Sequence, residues 1–227
     1  MSILPIERRN VRWWHMLNAA TRLAILRGAT RPFSDNVIVN EYPKSGGSWL
    51  SQMLSASLGL PFPRNRLPML SSCLMQCHVV NPVAMRKVVV VWRDGRDVAV
   101  SFYHHLLIGH EYGVDSSAAR NAHRLGILDP QDVQRNLPKF IEALMTADIG
   151  PSFTWPQFVA NWHGRNGVIE TRYEDLLTNA SGELIRIVTG LTGTEPDPAW
   201  IEEIVRAYSF RAQSGRRQGD EKKGSFM

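Results

Sequence analysis

Two short stretches hold residue types able to grip an anion. Tyr42-Pro-Lys-Ser-Gly-Gly-Ser-Trp49 joins a lysine, two glycines and two serines, and Arg93-Asp-Gly-Arg-Asp-Val-Ala-Val-Ser101 sets an arginine eight residues before a hydroxyl. Gly46 and Gly47 allow backbone angles and a close approach that other residues resist. Amides facing outward from a helix start, together with the helix dipole, suit phosphate or a similar oxyanion. Lys44 adds a full charge, Ser45 and Ser48 can donate to the same oxygens, and Trp49 offers a flat face for a purine. Arg93 and Ser101 suit a second phosphate. The plainer alternatives are a strand-to-helix turn with a solvated lysine, and a surface pairing of Arg93 with Asp94 or Asp97.

Both stretches need a strand behind them and a helix ahead. VIVNE, Val37 to Glu41, alternates ahead of the first, and a helix should run from about Ser48 to Leu58. VVVVW, Val88 to Trp92, is the β-branched run of a parallel strand covered on both faces, and the residues after it turn to helical spacing with Asp94 or Asp97 as cap. A short strand is expected around Gln76–Val80, a helix opening at Asp129-Pro130, and a tryptophan-bearing helix at Trp155–Trp162. A strand ending near Tyr173 and two amphipathic helices follow, the first stopped by Gly190 or Gly193. Alternating strands and helices imply a right-handed parallel α/β sheet that binds ligands at the carboxyl ends of its strands.

The totals bound the reading. At 227 residues one domain is expected, and 44% hydrophobic with 21% charged residues is a globular composition. A net charge of +5 favours anionic partners, and no apolar run reaches the length of a membrane span. Cys73 and Cys77 are too few and too close for a disulfide framework, so reduced thiols in a cytoplasmic protein are expected. The basic and apolar residues of the first 35 positions suggest a helix that packs on the domain or touches an acidic membrane surface.

In order, these motifs resemble the cytosolic sulfotransferase family and its bacterial relatives. The family's phosphosulfate loop, YPKSGTTW, is matched by Tyr42 to Trp49 with Gly47 and Ser48 in place of the two threonines. Its R-N-x-K-D-V-A-V-S motif is matched by Arg93 to Ser101, and a YED element by Tyr173-Glu-Asp-Leu176. The resemblance implies a single α/β domain, with a central parallel sheet flanked by helices as in P-loop nucleotide kinases, over residues 36–210. It leaves an N-terminal helical segment, 1–35, and a mobile basic tail, 211–227.

It also implies transfer of a sulfuryl group from 3′-phosphoadenosine 5′-phosphosulfate (PAPS) to a hydroxyl or amine of a small molecule, lipid or sugar, without metal and without nucleic acid. Lys44 would be the cation at the bridging oxygen and the amides of Ser45 to Trp49 would hold the 5′-phosphate. Arg93 and Ser101 would hold the 3′-phosphate, with Tyr173, Trp49 and Phe210 near the adenine. His78, in Gln76-Cys77-His78-Val79, stands where the family has its base, and Gln76 replaces a family lysine. The family's R-K-G-x-x-G-D-W segment has no match, and Arg216, Arg217, Lys222 and Lys223 are its candidate substitutes. The competing readings are a nucleotide kinase, although GxxxxGK[ST] is absent, and a non-catalytic nucleotide- or lipid-surface-binding protein. A zinc site on Cys73, Cys77 and His78 lacks a fourth ligand at suitable spacing.

Overall fold

The structure, a computed structural model, describes residues 13–63, 71–108 and 115–209, with backbone alone over 13–16 and 115–117. Among these, the chain forms two compact units, one of residues 94–160 and one of the remainder.

The larger unit is built on four parallel strands in the order β2-β1-β3-β4: β1 (Val37–Glu41), β2 (Leu74–Cys77), β3 (Val88–Trp92) and β4 (Val168–Arg172). All of β1, its polar end included, and the four valines of β3 are buried, as expected for parallel strands covered on both faces. The route β1, helix α2 (Gly47–Leu58), β2 fills one side of β1, and β3 then takes the other. That reversal of direction opens a crevice at the carboxyl ends of β1 and β3. Their register pairs Glu41 with Val91, so the turns that follow the two strands leave the same edge side by side.

Four further helices complete this unit or enter it. Helix α1 (Trp13–Leu26) buries Ile25 and Leu26, and its Arg22 donates to the Gln76 carbonyl at 3.4 Å. Helices α7 (Tyr173–Thr192) and α8 (Pro198–Ala207) join α2 in a core holding Leu50, Met53, Leu54, Leu184, Ile187 and Ile201. Helix α6 (Trp155–Trp162) ends here with a fully buried Trp162.

Three boundaries differ from the sequence expectation, those of α7, of β2 and of the helix expected to open at Asp129-Pro130. The helix after β4 begins at once at Tyr173, ahead of the amphipathic run ASGELIRIVTGLTG that starts at Ala180, with Glu174 and Asp175 favourably placed in its first turn. It breaks at Asn179 (φ −146°, ψ 68°), whose side chain accepts from the Gly182 amide and restarts it, and Gly193 in a left-handed conformation ends it.

The smaller unit contains α3 (Gly95–Tyr103) with a π-helical extension over His104–Ile108, α4 (Asp115–Arg124), α5 (Val133–Thr146) and most of α6. Phe102, Tyr103 and Phe140 pack edge to face, with Tyr103 5.3 Å from Phe140 between ring centres, and the Tyr103 hydroxyl donates to the Pro130 carbonyl. Helix α5 starts later than Asp129-Pro130 suggests. Asp129 accepts from the Gln131 amide in a turn, so Asp132 becomes the cap, and Pro138 lies inside the helix. No helix among the described residues is long and apolar enough to cross a membrane.

Candidate active site

The turn after β1 is strained where the sequence suggested an anion cradle. Lys44 has φ 74° and Gly46 φ 99°. A lysine seldom adopts this left-handed conformation, and such outliers persist where the surroundings enforce them. Alternating left-handed residues curl the backbone into a concavity lined by amides. Gly46 is required twice over, because a Cβ there would lie 2.5 Å from the Tyr173 ring. The Ser45 hydroxyl is buried within the turn, at 1% exposure, and has no hydrogen-bond partner.

The turn after β3 meets the same loop. Arg93 donates to the Lys44 carbonyl at 3.1 Å, and its guanidinium lies 4.5 Å from the centre of the Tyr173 ring. Tyr173 in turn meets Trp49 edge on, at 5.9 Å between ring centres, and the Trp49 indole donates to the Tyr208 carbonyl at 2.7 Å. Lys44, Ser45, Gly46, Trp49, Arg93 and Tyr173 thus form one contiguous group. Asp94 pairs with Arg96 and accepts from its amide as the cap of α3.

His78 lies one residue beyond β2, which ends at Cys77 rather than near Val80. Its ring is exposed, and Nδ1 sits 3.0 Å from the Glu41 carbonyl. A carbonyl oxygen only accepts, so in the neutral ring Nδ1 carries the proton and Nε2 keeps the lone pair. The position is fixed by Asn40, fully buried, whose amide donates to the Val79 carbonyl and accepts from the Val79 amide, both at 2.9 Å. Trp162 donates to the same carbonyl.

The loop's hydrogen-bonding capacity differs from the expectation that every amide from Ser45 to Trp49 faces a ligand. Ser45 N–H donates to the Tyr42 carbonyl and Trp49 N–H to the Gly46 carbonyl. Gly47 N–H donates to the Glu41 carboxylate at 2.6 Å. The Ser48 hydroxyl gives its proton to Gln76 Oε1 at 3.0 Å, and Gln76 donates to the other Glu41 oxygen at 2.7 Å. The amides of Gly46 and Ser48 have no acceptor among the described residues.

Asn40 and Glu41 are the residues that motif reading passed over. Their signal was present: two polar side chains close a strand otherwise wholly apolar and buried, and Glu41 is only 3% exposed. Burying a carboxylate is costly unless it is hydrogen-bonded, which here it is, twice.

The remaining candidates divide by location. Ser101 lies in the smaller unit, buried and with its hydroxyl unpartnered. Phe210 and the basic residues Arg216, Arg217, Lys222 and Lys223 fall outside the described residues. Cys73 and Cys77 are unbridged and buried, burial pushes both thiols up, and no metal-ligand cluster occurs among the described residues.

Comparison with known proteins gives a consistent answer. The sulfotransferase domain family matches residues 75–223, downstream of the Lys44 loop. Sulfotransferase 1E1 of Cavia porcellus is 22% identical over 213 residues, covering 78% of this chain, and the chain spans 65% of that relative's length. Mouse sulfotransferase SULT7A1, solved with PAP, is 18% identical with a TM-score of 0.56, covering 85% of this chain and 72% of its own. Retinol dehydratase, solved with androsterone and PAP, is 18% identical with a TM-score of 0.53, covering 78% and 65%. These two establish a shared fold, and the domain match extends over more than half of the chain: it belongs to the sulfotransferase family.

Proposed function

We propose that this protein is a PAPS-dependent sulfotransferase that sulfonates a hydroxyl or amine of a small molecule, with His78 as the proton acceptor. The observation that carries the reading is the turn after β1, where a left-handed Lys44 stands beside a buried Ser45 hydroxyl lacking a partner. A phosphosulfate supplies acceptor oxygens for that hydroxyl and for the amides of Gly46 and Ser48. Two solved relatives of the fold were obtained with PAP, which supports the same ligand class here.

Lys44 and the turn would hold the 5′ end of PAPS, and Arg93 its 3′-phosphate. Bound there, PAPS supplies an electrophilic sulfur with a phosphate as its leaving group. The acceptor oxygen forms its bond to sulfur while the bond from sulfur to the bridging oxygen breaks. The electron pair of the broken bond goes to the 5′-phosphate of PAP, and the acceptor's proton goes to His78 Nε2. Lys44 stabilises the charge that builds on the leaving phosphate. The Nδ1 contact to Glu41 keeps His78 in the tautomer able to accept that proton.

A second reading, a protein that binds PAP without turnover, draws on the neutral Gln76 where the family has a lysine and on the carboxylate beneath the loop. Incubation with sulfur-35 PAPS and a panel of phenols, alcohols, amines and sugars separates the two. Label transfer that is lost in His78→Ala supports catalysis. Nucleotide binding without transfer to any acceptor would favour the second reading.

A further inference from the structure

Glu41 occupies a place that the anion-gripping role of the loop does not explain. Its carboxylate lies directly beneath the turn, accepting from the Gly47 amide and from Gln76, and it is buried. Two departures from the family pattern converge on it. A side chain at position 47 would force the Glu41 carboxylate to move, because a Cβ there would stand 2.6 Å from its carboxylate carbon. At position 76 a neutral amide stands where the family has a lysine, and Gln76 donates to this same carboxylate. The floor of the cradle therefore carries a fixed negative charge with no cation at position 76 to balance it.

We propose that Glu41 is a specificity residue that weakens binding of the product nucleotide relative to the substrate. The inference rests on the sulfotransferase reading above. Before transfer, the phosphate seated on the turn bears a single negative charge, because its other oxygens are tied up in ester and anhydride bonds. After the sulfur–oxygen bond breaks, the same phosphate is a monoester with a charge of about −1.5 to −2 at neutral pH. The sulfuryl group takes its own negative charge away with the acceptor, so the total at this end changes little, but charge shifts from the departing group onto the phosphate resting on the Gly47 turn, one hydrogen bond from the Glu41 carboxylate. Repulsion between like charges in a partly dry cleft is screened far less than at a surface. It therefore acts more strongly on PAP than on PAPS and hastens product departure. Lys44 opposes it, so the two side chains together set how long the product stays.

The hydrogen bonds themselves offer a clean test. In Glu41→Gln the new amide can accept from Gly47 and donate to Gln76, provided that Gln76 turns its own amide over and donates to the Ser48 hydroxyl. Shape and bonding persist while the charge disappears. Calorimetric titration should show PAP binding roughly tenfold tighter in Glu41→Gln, with a much smaller change in KM for PAPS. Gln76→Lys, which keeps Glu41 but pairs it with a cation, should tighten PAP in the same direction and serves if the first variant fails to fold. PAP affinity unchanged or weakened in both variants, with PAP still bound by the parent, overturns the role of Glu41 alone. An equal tightening of PAP and PAPS overturns the discrimination. Failure of the parent chain to bind PAP at all would remove the sulfotransferase reading and this inference with it.

Discussion

The turns after β1 and β3 leave the same sheet edge, yet they are built on different principles. The first is wired to its own scaffold. Tyr42, Gly46, Glu41 and Gln76 accept from its amides and hydroxyl, and the indole of Trp49 is tied to Tyr208. The second is an ordinary capped helix start, in which Asp94 satisfies the Arg96 amide while Arg93 reaches back to the first turn. In sequence the second stretch departs from the family pattern only conservatively, at Asp94 and Arg96, whereas the first departs at Gly47 and Ser48, where threonines are replaced by smaller residues. The departure at Gly47 coincides with the buried Glu41 carboxylate, which a Cβ at position 47 would have to displace.

The sharpest way to separate the groups that hold nucleotide from those that move a proton is His78→Ala. Transfer in a single turnover should fall on the order of 10²–10⁴-fold, with PAP affinity unchanged. A parallel loss of affinity would make His78 part of the nucleotide grip. Arg93→Ala tests whether the second turn serves the first, and PAP should bind about 10- to 100-fold more weakly by calorimetry, as for removal of a charged hydrogen-bonding partner. Retained affinity would leave Arg93 as no more than a brace for the Lys44 carbonyl.

Gly47→Thr, which restores a family residue, should destabilise the fold by about 1–3 kcal/mol in urea unfolding, through collision with the Glu41 carboxylate. Adding Glu41→Ala to that chain should return part of the loss, and simple additivity of the two changes would refute their contact. Asp94→Ala should cost the least, about 1 kcal/mol for a helix cap, with PAP affinity unaltered.

Much of this arrangement was legible in the sequence. β3 carries an apolar run of the kind a covered parallel strand explains, VIVNE reads as a strand ahead of the first turn, and both strands lie where the sequence places them. The order of the Lys44 turn, His78, Arg93 and Tyr173 announced the family. The hydrogen-bond wiring was not legible, because a motif specifies residue types and not which donor meets which acceptor. Gly47 could be read only as permissive until Glu41 was seen beneath it, and Asn40 looked like the polar end of a strand until its amide was found clamping Val79. The late start of α5 has the same origin, since Asp129 and Asp132 are equal as caps in sequence and only the turn at Gln131 decides between them.

Direct titration of the protein with PAP, in buffer containing a metal chelator, bears most immediately on the central claim. One nucleotide per chain should bind with no metal present, ATP with magnesium should not displace it, and affinity should drop in Lys44→Ala. Absence of PAP binding, or preferential binding of ATP with magnesium, would contradict the assignment of the Lys44 turn to a phosphosulfate.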